Sequence, residues 1–227
     1  MTLSIIITCF NEARTIKKVL EKLELLDLPA EKEIVIVDDC STDGSQDILR
    51  SLDRKYKVVF HDKNQGKGAA LRSGIKVSNG ELTVFQDADL ELDPNDLKKF
   101  ITPLLESKAD LILGSRFMGR NFAYFGKNYF KYYLANKLIT TFFNLLFFSH
   151  LTDVNCGYKM FKTDILKDIS LTANSFEIEV EILGKVIKKG FRVQEVPVTY
   201  LPRKTNDGKK IRLKHAFLMI KKMMLCL

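Results

Sequence analysis

Between residues 3 and 113 the chain alternates between two hydrophobic patterns, and this alternation limits its fold more than any other feature. Leu3–Thr8, Glu33–Asp38, Val58–His61, Leu82–Gln86 and Ala109–Leu113 are short apolar runs, several of them β-branched, and each predicts a strand. Residues 13–26 and 95–106 carry apolar side chains at helical spacing, and helices are also expected over 46–52 and up to Val77. Strands alternating with helices predict an α/β protein with a mainly parallel sheet covered on both faces. Open sheets of this kind bind ligands beyond the carboxyl ends of their strands. The residues that follow each run are therefore the first candidates for function.

After the fourth run comes Phe85-Gln86-Asp87-Ala88-Asp89-Leu90-Glu91. Alternate residues of an extended chain share a face, so Asp87, Asp89 and Glu91 could converge. Three carboxylates suit a hard divalent cation, Mg²⁺ or Mn²⁺. The plainer alternative is an acidic turn closed by Pro94. The second run ends in Asp38-Asp39-Cys40-Ser41-Thr42-Asp43-Gly44-Ser45, where Gly44 and Ser45 read as turn and N-cap residues. Asn64–Gly74 places Lys67 between Gly66 and Gly68 just before a helix, which suits an anion or a simple glycine turn; the spacing is not that of a Walker A loop. Gly114-Ser115-Arg116-Phe117 follows the fifth run. The planar fork of Arg116 suits a fixed phosphate contact, with a surface ion pair as the alternative.

The second half of the chain has a different pattern. Residues 122–149 are aromatic and apolar, but their uninterrupted apolar part falls short of the roughly 20 residues of a spanning helix. One or two amphipathic helices on a membrane surface are expected there, with core packing as the alternative. A short helix over 163–168, a helix over 176–189 and a strand over 193–200 follow. Glu177, Glu179 and Glu181 fall near the start of that longer helix, where its dipole favours them. Residues 206–227 read as a basic amphipathic tail, so residues 1–205 would be the main domain.

Charge narrows the partners. The 227-residue chain has a formal charge of +8, and residues 203–222 hold many Lys and Arg against the single Asp207. A phosphate-rich partner is implied: nucleic acid, anionic lipid or a phosphorylated substrate. A nucleic-acid-binding module would leave the acidic motifs unexplained, because they repel nucleic acid. Cys9, Cys40, Cys156 and Cys226 form no CxxC pair and read as reduced thiols; with no signal peptide visible, a cytoplasmic protein is expected.

Taken in order, the motifs resemble those of the family 2 glycosyltransferases, in particular the polyprenyl-phosphate (dolichol-phosphate mannose synthase-like) branch. The pieces are Thr8-Cys9-Phe10-Asn11-Glu12, Val37–Gly44, Asn64–Gly68, Asp87-Ala88-Asp89-Leu90, Gly114–Phe117, Asp153–Lys159, and Glu195-Val196-Pro197-Val198 with Arg203. The resemblance implies a GT-A fold, a nucleotide-diphospho-sugar donor and a divalent metal bridging its phosphates. By motif position, Thr8, Phe10, Glu12, Val37 and Asp39 would border the nucleotide, with Asp39 on the base. Asp87 and Ala88 would line it, and Asp89 with Asp87 and Glu91 would hold the metal. Arg116, Arg203 and Lys209 or Lys210 would neutralise phosphates. The chain departs from the family at Thr8, where proline is usual, and at Glu91, which leaves the third metal ligand open.

The chemistry implied is inverting transfer of a hexose to a polyprenyl phosphate, on the cytoplasmic face of a membrane and with or without a membrane partner protein. A phosphate monoester has a second pKa of about 6 and is a nucleophile without a general base. His61, His150 and His215 read as structural or surface residues. If the acceptor were instead a sugar or protein hydroxyl, a carboxylate base would be needed, and Asp153 is the candidate. Guanine and uracil remain open as the donor base.

Overall fold

The computed structural model describes residues 1–52, 54–118, 129–203 and 213–227. Lys209, Lys210 and Phe125 lie outside the described residues. Seven strands form one sheet: β1 (Thr2–Cys9), β2 (Glu31–Asp38), β3 (Lys57–Phe60), β4 (Leu82–Asp87), β5 (Leu111–Ser115), β6 (Lys159–Lys162) and β7 (Val193–Pro197). Their order is β3-β2-β1-β4-β6-β5-β7, and β6 runs antiparallel to both of its neighbours while the other pairs are parallel.

The central strands are buried because their side chains are apolar on both faces: Leu3, Ile5, Ile6, Ile7, Val35, Ile36 and Val37 are all fully buried. Each such side chain contributes about 1.5–3 kcal/mol of burial. The helices that cover the sheet are α1 (Ile16–Leu25), α2 (Ser45–Arg50), α3 (Lys67–Val77), α4 (Lys98–Leu105), α5 (Phe130–Phe147), α6 (Thr163–Asp168), α7 (Ile178–Lys188) and α8 (Leu213–Cys226). α1 buries Ile16, Val19, Leu20 and Leu23, as its spacing predicts.

Several expectations shift. The helix expected over 95–106 is a 3₁₀ turn, Pro94–Leu97, followed by α4, and Leu105 at its end is exposed. β5 begins two residues later than expected and takes in Gly114 and Ser115. Gly44, at φ +92°, caps α2, so Ser45 is the first helical residue. β6 has no counterpart in the sequence reading, because four residues with a lysine at each end carry no clear period. The last strand stops at Pro197, and Tyr200 makes an isolated bridge to Leu92.

Two features of this topology create the site. The chain builds outward from β1 to β2 and β3, then returns to the other side of β1 with β4, so a crevice opens where β1 and β4 end. The antiparallel β6 starts at the edge where β4 and β5 finish. Its lead-in, residues 153–158, is thereby carried across that same edge, and the Gly114 amide donates to the Tyr158 carbonyl at 2.8 Å. The stretch expected as a tail is docked: α8 packs on α7 and α5 and buries His215, Met219, Met223 and Cys226.

Candidate active site

A cavity of about 1000 Å³ lies over these strand ends. Thr8, Phe10 and Glu12 reach it from the end of β1, and Asp39 from the end of β2. Asp87, Ala88, Asp89 and Glu91 reach it from the exit of β4, Arg116 from β5, and Arg203 from beyond β7. Two expected site residues lie behind the wall. Val37 is fully buried in the sheet, in register with Thr8. Asp153 is also fully buried, beneath Arg116.

The first wall is held by backbone geometry. Asn11 and Cys40 both adopt left-handed conformations, φ 53° and 63°, where β1 and β2 turn out of the sheet. Such conformations are costly for residues other than glycine and persist where the surroundings enforce them. The Asp39 carboxylate accepts from the amides of Gln65 and Gly66 at 2.8 and 2.7 Å and pairs with His61 Nδ1 at 2.8 Å, and His61 Nε2 meets Ser73 Oγ at 2.8 Å. His61 is thus a structural residue that fixes Asp39. Gly66, at φ +96°, lets the entry to α3 pass the Asn174 carbonyl, which a Cβ would meet at 2.4 Å.

The acidic residues of β4 do not form one triad. Among the described residues, no group of three or more His, Cys, Asp or Glu could hold a metal ion. Ala88 turns inward and is buried, and the carboxylates beside it go to different cations. Asp87 pairs with Lys67 at 2.7 Å. Arg203 donates to both oxygens of Glu12, at 3.0 and 3.1 Å, and to Asp89, while its amide donates to Glu91 at 2.8 Å. The expected phosphate ligand Arg203 therefore sits on the carboxylates, as attraction dictates where acidic groups outnumber cations. Even so, burial, reinforced by the charges of Asp87 and Glu91, pushes the Asp89 carboxyl up to about 7. At this end of the cavity the carboxylates Glu12, Asp87, Asp89 and Glu91 outnumber the cations Lys67 and Arg203. That deficit and the all-oxygen donors of Asp87 and Asp89 fit a hard divalent cation.

A ladder of buried charges backs Asp87. Lys67 bridges Asp87 and Glu179, the latter at 2.9 Å; Glu179 also pairs with the fully buried Lys159, which donates to the Cys156 carbonyl at 2.6 Å. Against its burial, Asp87 and Glu179 hold the Lys67 ammonium above the ordinary lysine range. Gly157 fits against this ladder: a Cβ there would lie 2.5 Å from Asp87 Oδ2. The expected dipole role of the α7 glutamates is only part of their job. Glu179 joins the ladder, and Glu181 accepts from the amides of Thr172 and Ala173 and from Lys185.

The far wall is built around Arg116. Its Nε and Nη2 donate to Asp153 at 2.7 and 2.8 Å, and its amide donates to Asp153 as well. Its guanidinium lies 5.1 Å from the ring centre of Tyr200, within cation–π range. Glu195 in β7 accepts from the Thr152 and Asp153 amides and so anchors the pair. A carboxylate with no exposure, both oxygens on one guanidinium, is not placed as a base; Asp153 orients Arg116 instead. α5 and α8 complete this wall with Ala135, Ile139, Ala216 and Met219. Sequence reasoning missed Tyr129, Tyr200, Lys159 and Glu179. Lys159 carried one signal, a lysine inside the apolar run Tyr158-Lys159-Met160-Phe161.

Residues 4–170 match Glycosyl transferase family 2. The chain belongs to this family. The dolichol-phosphate mannosyltransferase of Pyrococcus furiosus is 27% identical over 211 residues, which are 92% of this chain and 59% of that protein. The dodecaprenyl-phosphate galacturonate synthase of Rhizobium johnstonii is 26% identical over 219 residues, 92% of this chain and 62% of that protein. In each case the chain spans about three fifths of the relative's length. The fold is that of glucosyl-3-phosphoglycerate synthase from Mycobacterium tuberculosis, solved with Mn²⁺, UDP and glucosyl-3-phosphoglycerate: TM-score 0.76, 18% identity, 99% of this chain and 79% of that one. The protein is a GT-A glycosyltransferase. Among the described residues no helix is long and apolar enough to cross a membrane.

Proposed function

We propose that the enzyme transfers a hexose from a nucleotide-diphospho-sugar to a polyprenyl phosphate at a membrane surface. One observation carries this reading: the cavity runs from acidic strand ends to a wall of two helices that are apolar on both sides. α5 buries Ile139, Phe143 and Phe147 yet exposes Leu134, Leu138 and Leu145, and α8 exposes Phe217, Leu218, Ile220, Met224 and Leu225. Helices that expose large apolar side chains beside lysines suit the boundary between lipid headgroups and acyl chains. Lys131, Lys137 and Lys221 are exposed on the same helices, and each basic residue near anionic lipid adds about 1 kcal/mol. The relatives named for dolichol and dodecaprenyl phosphates support this acceptor class.

In this reading the nucleotide lies against Thr8, Phe10, Glu12 and Asp39, with its diphosphate near Asp87 and Asp89. Asp89 and Asp87 would hold a divalent ion, which supplies charge stabilisation to the departing diphosphate when bound. Arg203, freed from those carboxylates as their charge is met, turns to phosphate oxygens. Arg116, locked by Asp153 and Tyr200, faces the acceptor phosphate and aligns it for attack on the anomeric carbon. The acceptor brings its own anionic nucleophile, so no base is required. Asp153, given over to Arg116, weighs against the hydroxyl-acceptor alternative.

The test is a matched pair of acceptors. Purified enzyme with Mn²⁺ and a panel of UDP- and GDP-sugars is offered a polyprenyl phosphate and the corresponding polyprenol in vesicles, and products are read by mass spectrometry. Glycosylated lipid is expected from the phosphate alone and only with metal. Equal transfer to the polyprenol would overturn the acceptor assignment, and full activity in excess chelator would remove the metal.

A further inference from the structure

Two cations from outside β4 occupy its carboxylates, and they are held differently. Lys67 pairs with Asp87 at 2.7 Å and with Glu179 at 2.9 Å, and Glu179 is held in turn by the buried Lys159. Lys67 therefore keeps a fixed partner when Asp87 turns to another ion. Among the described residues, the ion pairs of Arg203 are all with carboxylates that line the cavity: Glu12, Asp89 and Glu91. These three come from the exits of two strands and converge on one guanidinium. Glu12 is the anchor. Both of its oxygens accept from Arg203, Thr15 Oγ1 donates to one of them at 2.9 Å, and the Glu12 amide donates to Ser45 Oγ at 2.9 Å.

This clasp is well matched in charge and poorly matched in geometry. Arg203 Nε is buried, lies 3.8 Å from Glu91 and has no hydrogen-bond partner among the described residues. A buried donor left unpaired is costly, more so on a charged group. The side chains of Arg203, Asp89 and Glu91 remain 21%, 16% and 18% exposed, so solutes in the cavity reach them. Arg203 can yield Asp89 and Glu91 to a divalent ion only by giving up two of its three counter-ions in a half-buried place. The oxygens of a diphosphate replace those counter-ions.

We infer that Arg203 is an internal counter-ion that competes with the divalent ion for Asp89 and Glu91, and that it steps aside only when a diphosphate is there to receive it. Glu12 is the positioning residue that parks Arg203 over the carboxylates. The inference rests on the reading of this end of the cavity as a metal–diphosphate site. It goes further by making the free enzyme a weak binder of the metal alone. The coupling is reciprocal, so each ligand raises the affinity of the other by the same factor. Loss of the nucleoside diphosphate after transfer returns Arg203 to the carboxylates and loosens the metal.

The experiment measures Mn²⁺ binding by calorimetry, with and without UDP or GDP, for the wild type, Arg203→Gln and Arg203→Lys, with thermal melts to show that each is folded. Arg203→Gln should bind Mn²⁺ alone about 10- to 100-fold more tightly than wild type. The factor by which the nucleoside diphosphate tightens Mn²⁺ should shrink by a similar amount, because it no longer relieves a competitor. Arg203→Lys keeps the charge but replaces the fork by a single ammonium that cannot span Glu12 and Asp89, and it should fall between the two. In the wild type, the assigned Arg203 Nε–H signal should shift in NMR spectra on adding Mg²⁺ with the diphosphate; an unmoved signal overturns the inference without need of a variant. Unchanged or weaker Mn²⁺ binding by Arg203→Gln, or wild-type affinity in Arg203→Lys, also overturns it while leaving the metal–diphosphate reading intact. Absence of Mn²⁺ binding to the wild type with either nucleotide takes down both.

Discussion

The two ends of the cavity are built by opposite means. The end near β1, β2 and β4 uses residues just past parallel strands, held by backbone amides and by turns such as those at Asn11 and Cys40. Its carboxylates crowd one another. The end near Arg116 uses groups paired in advance: a buried arginine on a buried aspartate, anchored by a glutamate from another strand and walled by apolar helices. At the first end the free protein carries unmet charge, and at the second the charge is already met. Function and stability should therefore separate at the first end and coincide at the second.

Asp89→Asn is the most severe test of that contrast. It should cost at least about 10³-fold in transfer, on the scale of lost electrostatic stabilisation in catalysis. It should also stabilise the free protein. Burial and like charges hold the Asp89 carboxyl near 7, above its ordinary 3.8, so the ionised form is disfavoured in the fold. The resulting penalty is absent below about pH 3.8, where the group is protonated in both states, and complete above about pH 7. Thermal melts at pH 8 should show the variant more stable than wild type, and the difference should vanish near pH 4. A destabilised variant at pH 8 would break the comparison.

Asp153→Asn probes the other end. It strands the Arg116 charge in a buried site, and breaking such a pair costs about 3–5 kcal/mol. Urea unfolding should show that loss, and activity should fall with it. Undiminished stability would mean that the second end is not paired in advance.

Glu181→Gln should have a smaller effect. Against the cost of burial, hydrogen bonds from Lys185, Ala173 and Thr172 hold this carboxyl at about 2. Its stabilisation is complete above about pH 4.5 and is lost as pH falls through about 2. A loss of about 2–3 kcal/mol at pH 7, shrinking towards pH 2, is expected. Transfer should decline only modestly, because Glu181 acts through the 172–174 turn that packs against Gly66 and Gly68.

The same contrast explains what could be read from the sequence. The first five strands, α1 and the cavity-lining Asp87 and Asp89 follow from local pattern, because a parallel strand delivers its last residues to the site wherever its neighbours lie, whereas Thr8, Glu12 and Asp39 were expected there from the family resemblance. Val37 was placed one step too far forward, since strand alternation buries it beside Asp38. β6 and Tyr200 depend on pairing with distant segments and leave no periodic trace. The pairing of Asp153 with Arg116 depends on the reversal of β6, which local pattern does not carry; read locally, Asp153 passed for a base. The three β4 carboxylates were expected together, but their separate cations, Lys67 and Arg203, come from α3 and from beyond β7.

The ladder from Asp87 through Lys67 and Glu179 to Lys159 also has a consequence for how this sequence can drift. Its four charges alternate in sign, and Lys159 has no exposure to water at all. Replacing Glu179 alone would remove the counter-ion that the fully buried Lys159 shares with Lys67, and replacing Lys159 alone would leave Glu179 to Lys67, drawing it from Asp87. A neutral path through sequence space must therefore change these positions in concert, so that Lys159, which does not line the cavity, shares the constraint on Asp87.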